Sequence, residues 1–300
     1  MKRILKWLGI VLGVLLIVLV VAITATQVMA QSRLNKTYNV DAQTSLIIPA
    51  DEAALARGEH LVTAVSHCDG CHGADLGGVP FIDDPTIGLI YSPNLTMGQG
   101  GLGATYTAED WVRSLTHGVA PDGRMLLVMP SQHFRHYSDE DLAAIIAYVK
   151  SVPPVDREKP ENHLSILGRT LFAIGGFGQM PAEMIDHNAP RPTAPVEGVT
   201  VEYGEHLATV GVCRDCHMPN LAGGRPAPSD PYAPNLTPGG ELAGWTQEDF
   251  INTIRTGVTP AGRELNPMMP WESYRNMTDA ELQAIWLYLQ SLPALPSNEG

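Results

Sequence analysis

After about residue 50 this 300-residue sequence is written twice, and a duplication constrains the fold before any single motif does. Gly58-Glu59-His60-Leu61 returns as Gly204-Glu205-His206-Leu207, and Cys68-Asp69-Gly70-Cys71-His72 returns as Cys213-Arg214-Asp215-Cys216-His217. Pro93-Asn94-Leu95-Thr96 is answered by Pro234-Asn235-Leu236-Thr237, and Thr107-Ala108-Glu109-Asp110-Trp111 by Thr246-Gln247-Glu248-Asp249-Phe250. Gly123-Arg124, Met129-Pro130 and Ser151-Val152-Pro153 pair with Gly262-Arg263, Met269-Pro270 and Ser291-Leu292-Pro293. The offset drifts only between 139 and 146, so the copies differ by short loop insertions. Two homologous domains are therefore expected, at 51–155 and 196–300, joined by a connector at 156–195 that has no counterpart in the repeat.

Helix signals fall at matched places. Thr107 with Asp110 and Thr246 with Asp249 read as N-caps with an acidic third residue, as do Ser138 with Asp141 and Thr278 with Glu281. The helix after the last pair shows one apolar face, Leu142, Ile145, Ile146 and Val149, matched by Leu282, Ile285, Trp286 and Leu289. Strand signals are scarce and the loops are rich in Gly and Pro. The expected fold class is all-α, with two tandem domains of long loops. Gly58 with Tyr148, and Gly204 with Tyr288, mark where first and last helices would cross closely. In the connector, Leu164 to Phe177 reads as helical and Ala189 to Pro195 as a linker.

Trp7 to Thr26 is a run of 20 uncharged, mostly apolar residues. As a helix it would span ~30 Å, the thickness of a bilayer core. Lys2, Arg3 and Lys6 before it favour a cytoplasmic N-terminus, with everything after it outside. Residues 1–30 thus read as an anchor, and 31–50 as a poorly ordered linker. The rival reading is a cleaved signal ending at Val28-Met29-Ala30, although a signal's apolar region is usually only ~7–15 residues. Either way the repeated domains lie on the extracytoplasmic side of the cell membrane.

All four cysteines belong to the two C-x-x-C-H motifs. On one helical turn this spacing puts both thiols at one edge of a porphyrin, where they can form thioethers, and the next histidine can ligate the iron. A thioredoxin-like site would want a βαβ context, and a structural zinc would need four converging ligands. Two simple disulfides would leave the repeated histidines unexplained. The expected cofactors are two haem c groups, held by Cys68 and Cys71 and by Cys213 and Cys216, with His72 and His217 as axial ligands. Met129 and Met269, each before a proline that favours an extended backbone, are the candidate sixth ligands. Their local competitors, Met125 and Met268, are not repeated.

With these residues in hand, the sequence resembles the class I cytochrome c family, and more narrowly the tandem dihaem cytochromes c related to cytochrome subunits of membrane-bound bacterial alcohol dehydrogenases. The resemblance covers the two repeats, about two-thirds of the chain. It implies covalent haem at the four cysteines, proximal His72 and His217, and distal Met129 and Met269. Those subunits typically carry three haems where this chain has motifs for two, so membership of an alcohol dehydrogenase complex is not implied.

Haem-edge or propionate contacts are expected from Arg124, Arg263, Asn94, Asn235, Tyr91 and Tyr232, which recur in both copies; for the two asparagines a structural loop bond competes. His60 and His206 read as exposed. His67, His133 and His136 have no repeated counterpart, which weakens any ligand role. A net charge of −13, from 19 Lys+Arg against 32 Asp+Glu, excludes nucleic acid as a natural partner. It points to redox partners with basic docking surfaces. With both axial positions filled by protein, the expected activity is electron relay between respiratory-type partners, not catalysis. A subunit of a larger respiratory or dehydrogenase complex is compatible with that reading. The alternative is a peroxidase-like dihaem enzyme with one open iron.

Overall fold

The structure is a computed structural model that describes residues 2–42, 45–227 and 230–298. Residue 1 of the expected anchor, 43 and 44 of the expected linker, and 228, 229, 299 and 300 of the expected second domain lie outside the described residues.

Helix α1 runs over Lys2–Leu34, and it is the one described helix long and apolar enough to cross a membrane. Its side chains stand clear of the protein as far as Ala25. Its last turns do not: Ala30 is fully buried, and Arg33 donates to the carbonyls of Phe172 (2.7 Å) and Gly178 (2.8 Å) and pairs with Glu183. The stretch expected to be a poorly ordered linker begins inside α1 and is packed in part, although Ile47 is 85% exposed. Tyr38 N–H donates to Gly123 O at 2.8 Å, Thr37 bridges to Arg124, and Val40 and Ala42 are buried. Small apolar residues spaced among polar ones gave that stretch no helix or strand period. Only the surface they lie on orders them.

Each repeat is built alike. In the first, α2 (Glu52–His60) ends in a π-type turn at Leu61–Val65, followed by α3 (Cys68–His72), α4 (Ala108–His117), α5 (Ser131–Phe134) and α6 (Asp139–Ser151). The first also carries an antiparallel hairpin, β1 (Pro80–Asp84) and β2 (Gly88–Tyr91), to which β3 (His163–Leu164) of the connector adds a third strand. The connector continues as α7 (Ile166–Ala173) and α8 (Pro181–Met184). The second repeat comprises α9 (Val201–Val210), α10 (Cys213–His217), α11 (Gln247–Thr256), α12 (Trp271–Tyr274) and α13 (Asp279–Ser291). The fold is mostly helical, and among the described residues the small sheet is formed by the first repeat and the connector.

Sequence accounts for the helix starts. Full capping boxes open α4, α11 and α13, and the Ser138 hydroxyl accepts from Asp141 N–H at the start of α6. Helices α2 and α6 cross at Gly58, and α9 and α13 cross at Gly204. A Cβ at Gly58 would sit 2.0 Å from Ala144 O, and one at Gly204 1.9 Å from Ala284 O, so only glycine lets these backbones meet. The apolar faces of α6 and α13 enter one continuous buried cluster drawn from both repeats.

Candidate functional site

Each C-x-x-C-H motif forms a single helical turn entered through a left-handed residue, His67 (φ 49°) in one copy and Val212 (φ 51°) in the other. A β-branched residue at positive φ is strained and persists only where its surroundings hold it. Further along, Leu76 (φ 53°) and Leu221 (φ 57°) repeat the pattern. Two copies thus keep the same costly backbone around the same motif. The four thiols are unbridged and half-buried. Burial raises all four, Cys68 and Cys213 to about 12, so they are not poised as thiolate nucleophiles.

The two motif histidines are buried and held identically. His72 Nδ1 lies 2.9 Å from Pro93 O, and His217 Nδ1 lies 2.8 Å from Pro234 O. A carbonyl can only accept, so Nδ1 carries the proton and Nε2 keeps a free lone pair. Burial pushes both imidazoles below their usual range, the carbonyl bond opposing it, which keeps them neutral as a metal ligand must be.

The P-N-L-T motif explains itself here. Asn94 Oδ1 accepts from Thr96 N–H and Oγ1 (both 2.9 Å), and its amide donates to Val155 O at 2.6 Å. Asn235 Oδ1 does the same for Thr237 (both 2.8 Å), and its amide donates to Leu295 O at 2.9 Å. Each asparagine pins the loop carrying the histidine's carbonyl to the segment after the domain's last helix. Both are buried and spent on the chain itself.

Met129 and Met269 occupy matched turns, with Ser131 N–H and Trp271 N–H closing on the methionine carbonyls at 2.8 Å each. Both side chains pack against the shared core, and Met269 touches His217. Their competitors lie elsewhere: Met125 is buried in a separate cluster with Val119 and Met180, and Met268 is half exposed. The other sequence candidates are surface or loop groups. Arg124 is exposed and paired with Asp122, and Arg263 is paired with Glu241. Tyr91 OH donates to Gly78 O (3.2 Å) and Tyr232 OH to Asn298 O (3.0 Å).

Two findings depart from the sequence reading. His60 and His206 are not exposed. His60 Nε2 donates to both oxygens of Glu281 in the other repeat (2.9 and 2.8 Å), and His206 is buried against Tyr137 and Tyr203. Their exposure depends on a face that exists only when the repeats are docked. The sequence also passed over Trp111, whose indole N–H is buried without a partner, and Arg157, which donates to Gly78 O at 2.9 Å and pairs with Asp75. Trp111 is matched by Phe250, so the repeat alone marked it as a packing position. Among the described residues no three His, Cys, Asp or Glu side chains gather as a metal site.

Comparison with known proteins agrees with this geometry. Residues 53–149 match the family described as cytochrome c oxidase, cbb3-type, subunit III, and residues 201–293 match the cytochrome c family. The chain is 30% identical to the cytochrome c subunit of alcohol dehydrogenase (quinone) from Gluconobacter oxydans, over 84% of this chain and 57% of that protein. It is 30% identical to the fructose dehydrogenase cytochrome subunit of Gluconobacter japonicus, over 85% and 56%. A diheme cytochrome c-type protein of Cereibacter sphaeroides is 26% identical over 80% and 86%. The chain thus spans little more than half the length of the two dehydrogenase subunits. The chain thus carries two tandem cytochrome c domains, at residues 53–149 and 201–293, with haem c as their cofactor.

Proposed function

We propose that this chain relays electrons between redox proteins at the outer face of a membrane, through two covalently held haems. Bound haem supplies a one-electron couple at its iron. The chain's residues do the rest. Cys68, Cys71, Cys213 and Cys216 would hold the groups as thioethers, and His72 and His217 would ligate through the free Nε2. Met129 and Met269 would fill the sixth positions and raise the potentials. Trp111 offers domain 1 a buried donor of the kind a haem carboxylate needs. The observation that carries this reading is the matched Nδ1 contact to a proline carbonyl, which fixes the same tautomer in both histidines.

Helix α1 would act as a single-pass anchor with a cytoplasmic N-terminus. The acidic surface favours partners with basic docking faces, and relatives named as dehydrogenase subunits support a place in a larger redox complex. A carbon monoxide difference spectrum of the reduced chain, taken with a haem count, tests the ligand set. Two covalent haems that ignore the gas are expected. Replacing Met129 or Met269 with alanine should leave haem attached, let that iron bind the gas and lower its potential. A wild-type haem that binds the gas readily would favour the peroxidase-like alternative, and methionine variants with unaltered spectra would refute the assignment.

A further inference from the structure

The two attachment turns are joined crosswise. His133 is the fourth residue after Met129, and Ser273 the fourth after Met269, so they occupy one matched position in the two copies. His133 Nε2 reaches Asp215 Oδ1 at 2.6 Å, inside the Cys213–Cys216 turn of the other domain. Ser273 Oγ lies 2.6 Å from Nδ1 of His67, the residue before Cys68. The ring of His67 is folded over the first turn: a Cβ at Gly70 would meet its Nε2 at 1.8 Å. The chemistry differs on the two sides, histidine to carboxylate on one and hydroxyl to imidazole on the other, yet the connection runs the same way. Each short helix that follows a distal-ligand candidate abuts the opposite domain's haem-attachment turn.

The contacts around these braces leave little freedom between the domains. Ser66 Oγ, just before the first turn, donates to Val210 O across the interface at 3.1 Å and accepts from Tyr137 OH at 2.5 Å. His60 grips Glu281 from the first domain to the second. Both turns and both short helices border one shared apolar core.

We propose that His133 and Ser273 are positioning residues for the haem of the opposite domain, fixing the geometry and local charge of its attachment turn. Electron exchange between the two haems then crosses this interface. The proposal rests on the reading of two c-type haems. A carboxylate in an attachment turn favours ferric over ferrous iron, and the His133 N–H offsets the carboxylate of Asp215. Losing that donor should lower the potential of the haem on Cys213 and Cys216.

The test is a redox titration of the full-length holoprotein, each haem being identified by the spectral change on substituting its own methionine. In His133→Ala the ferrous-to-ferric ratio of the second-domain haem at a fixed ambient potential should fall by about threefold to tenfold, the net worth of one ordinary hydrogen bond. The first-domain haem should move less, and His133→Gln, which keeps an N–H donor, should recover most of the loss. Ser273→Ala should shift the first-domain haem more than its own, with rescue by Ser273→Thr. Variants that move only the haem of their own domain, or conservative variants that behave like alanine, would overturn the proposal. If His133→Ala does not mature with two haems, Ser273→Ala, which removes a single oxygen, decides. A wild-type chain with fewer than two covalent haems would instead overturn the functional reading beneath it.

Discussion

At the residue scale the candidate site is carried by short, exact spacings, which the sequence displays directly. A C-x-x-C-H run needs only its own helical turn to set two thiols and an imidazole side by side. What His72 and His217 do with their other nitrogen was not readable, because Pro93 and Pro234 lie 21 and 17 residues downstream. His206 shows the same gap with a consequence for stability. Burial pushes its pKa down to about 4, against about 6.5 in the unfolded chain. Below pH 6.5 the unfolded chain therefore takes up a proton that the folded one refuses. Stability falls as pH drops through that window, by roughly 2 kcal/mol at pH 5, and keeps falling until about pH 4. His117, likewise pushed to about 4 by burial and by His187 beside it, adds to the slope. Guanidinium unfolding at pH 7 and pH 5 should show His206→Gln losing less stability than wild type between the two. An unchanged pH slope would refute the assignment.

At the element scale, capping residues and the apolar period of the last helix determine where helices begin and which face they bury, since both act within a few residues of backbone. The close crossings were also legible, because glycine at the same place in both repeats leaves little else to explain it. Gly58→Ala or Gly204→Ala would drive a methyl group into a backbone carbonyl that cannot swing aside. Each should destabilise its own domain by about 3 kcal/mol, read as a lower denaturant midpoint and fewer covalent haems per chain. Full haem loading with an unshifted midpoint would mean the helices can separate freely. The β1–β2–β3 sheet was not legible. Its third strand is only two residues long, and its pairing of Gly88 with Leu164 joins segments 76 residues apart.

For the whole molecule, α1 is joined to the rest of the chain by side-chain contacts as well as by sequence. Its last turns are bound into the connector: Arg33 lies 4.3 Å over the Phe172 ring as well as pairing with Glu183, and Gln27 donates to Ile166 O at 3.1 Å. The helix therefore meets the connector as a fixed stem. The full chain should stay with membranes through alkaline carbonate washing, whereas a form with residues 1–24 replaced by a cleavable signal should be released with both haems attached. Release of the full chain by carbonate would mean that α1 does not span.

The sequence by itself determined the duplication, the helical class, the two C-x-x-C-H runs and the apolar first helix. Each of these is written in residue type at fixed short spacing along one backbone, where geometry follows from local chemistry. Only the tertiary structure decided that the repeats share one core, that His60 and His206 lie between them, and that a side chain of each repeat reaches the C-x-x-C-H turn of the other. His133 meets Asp215 across 82 residues and His67 meets Ser273 across 206. Contacts that distant are set by how two finished surfaces fit, and no local pattern records that fit.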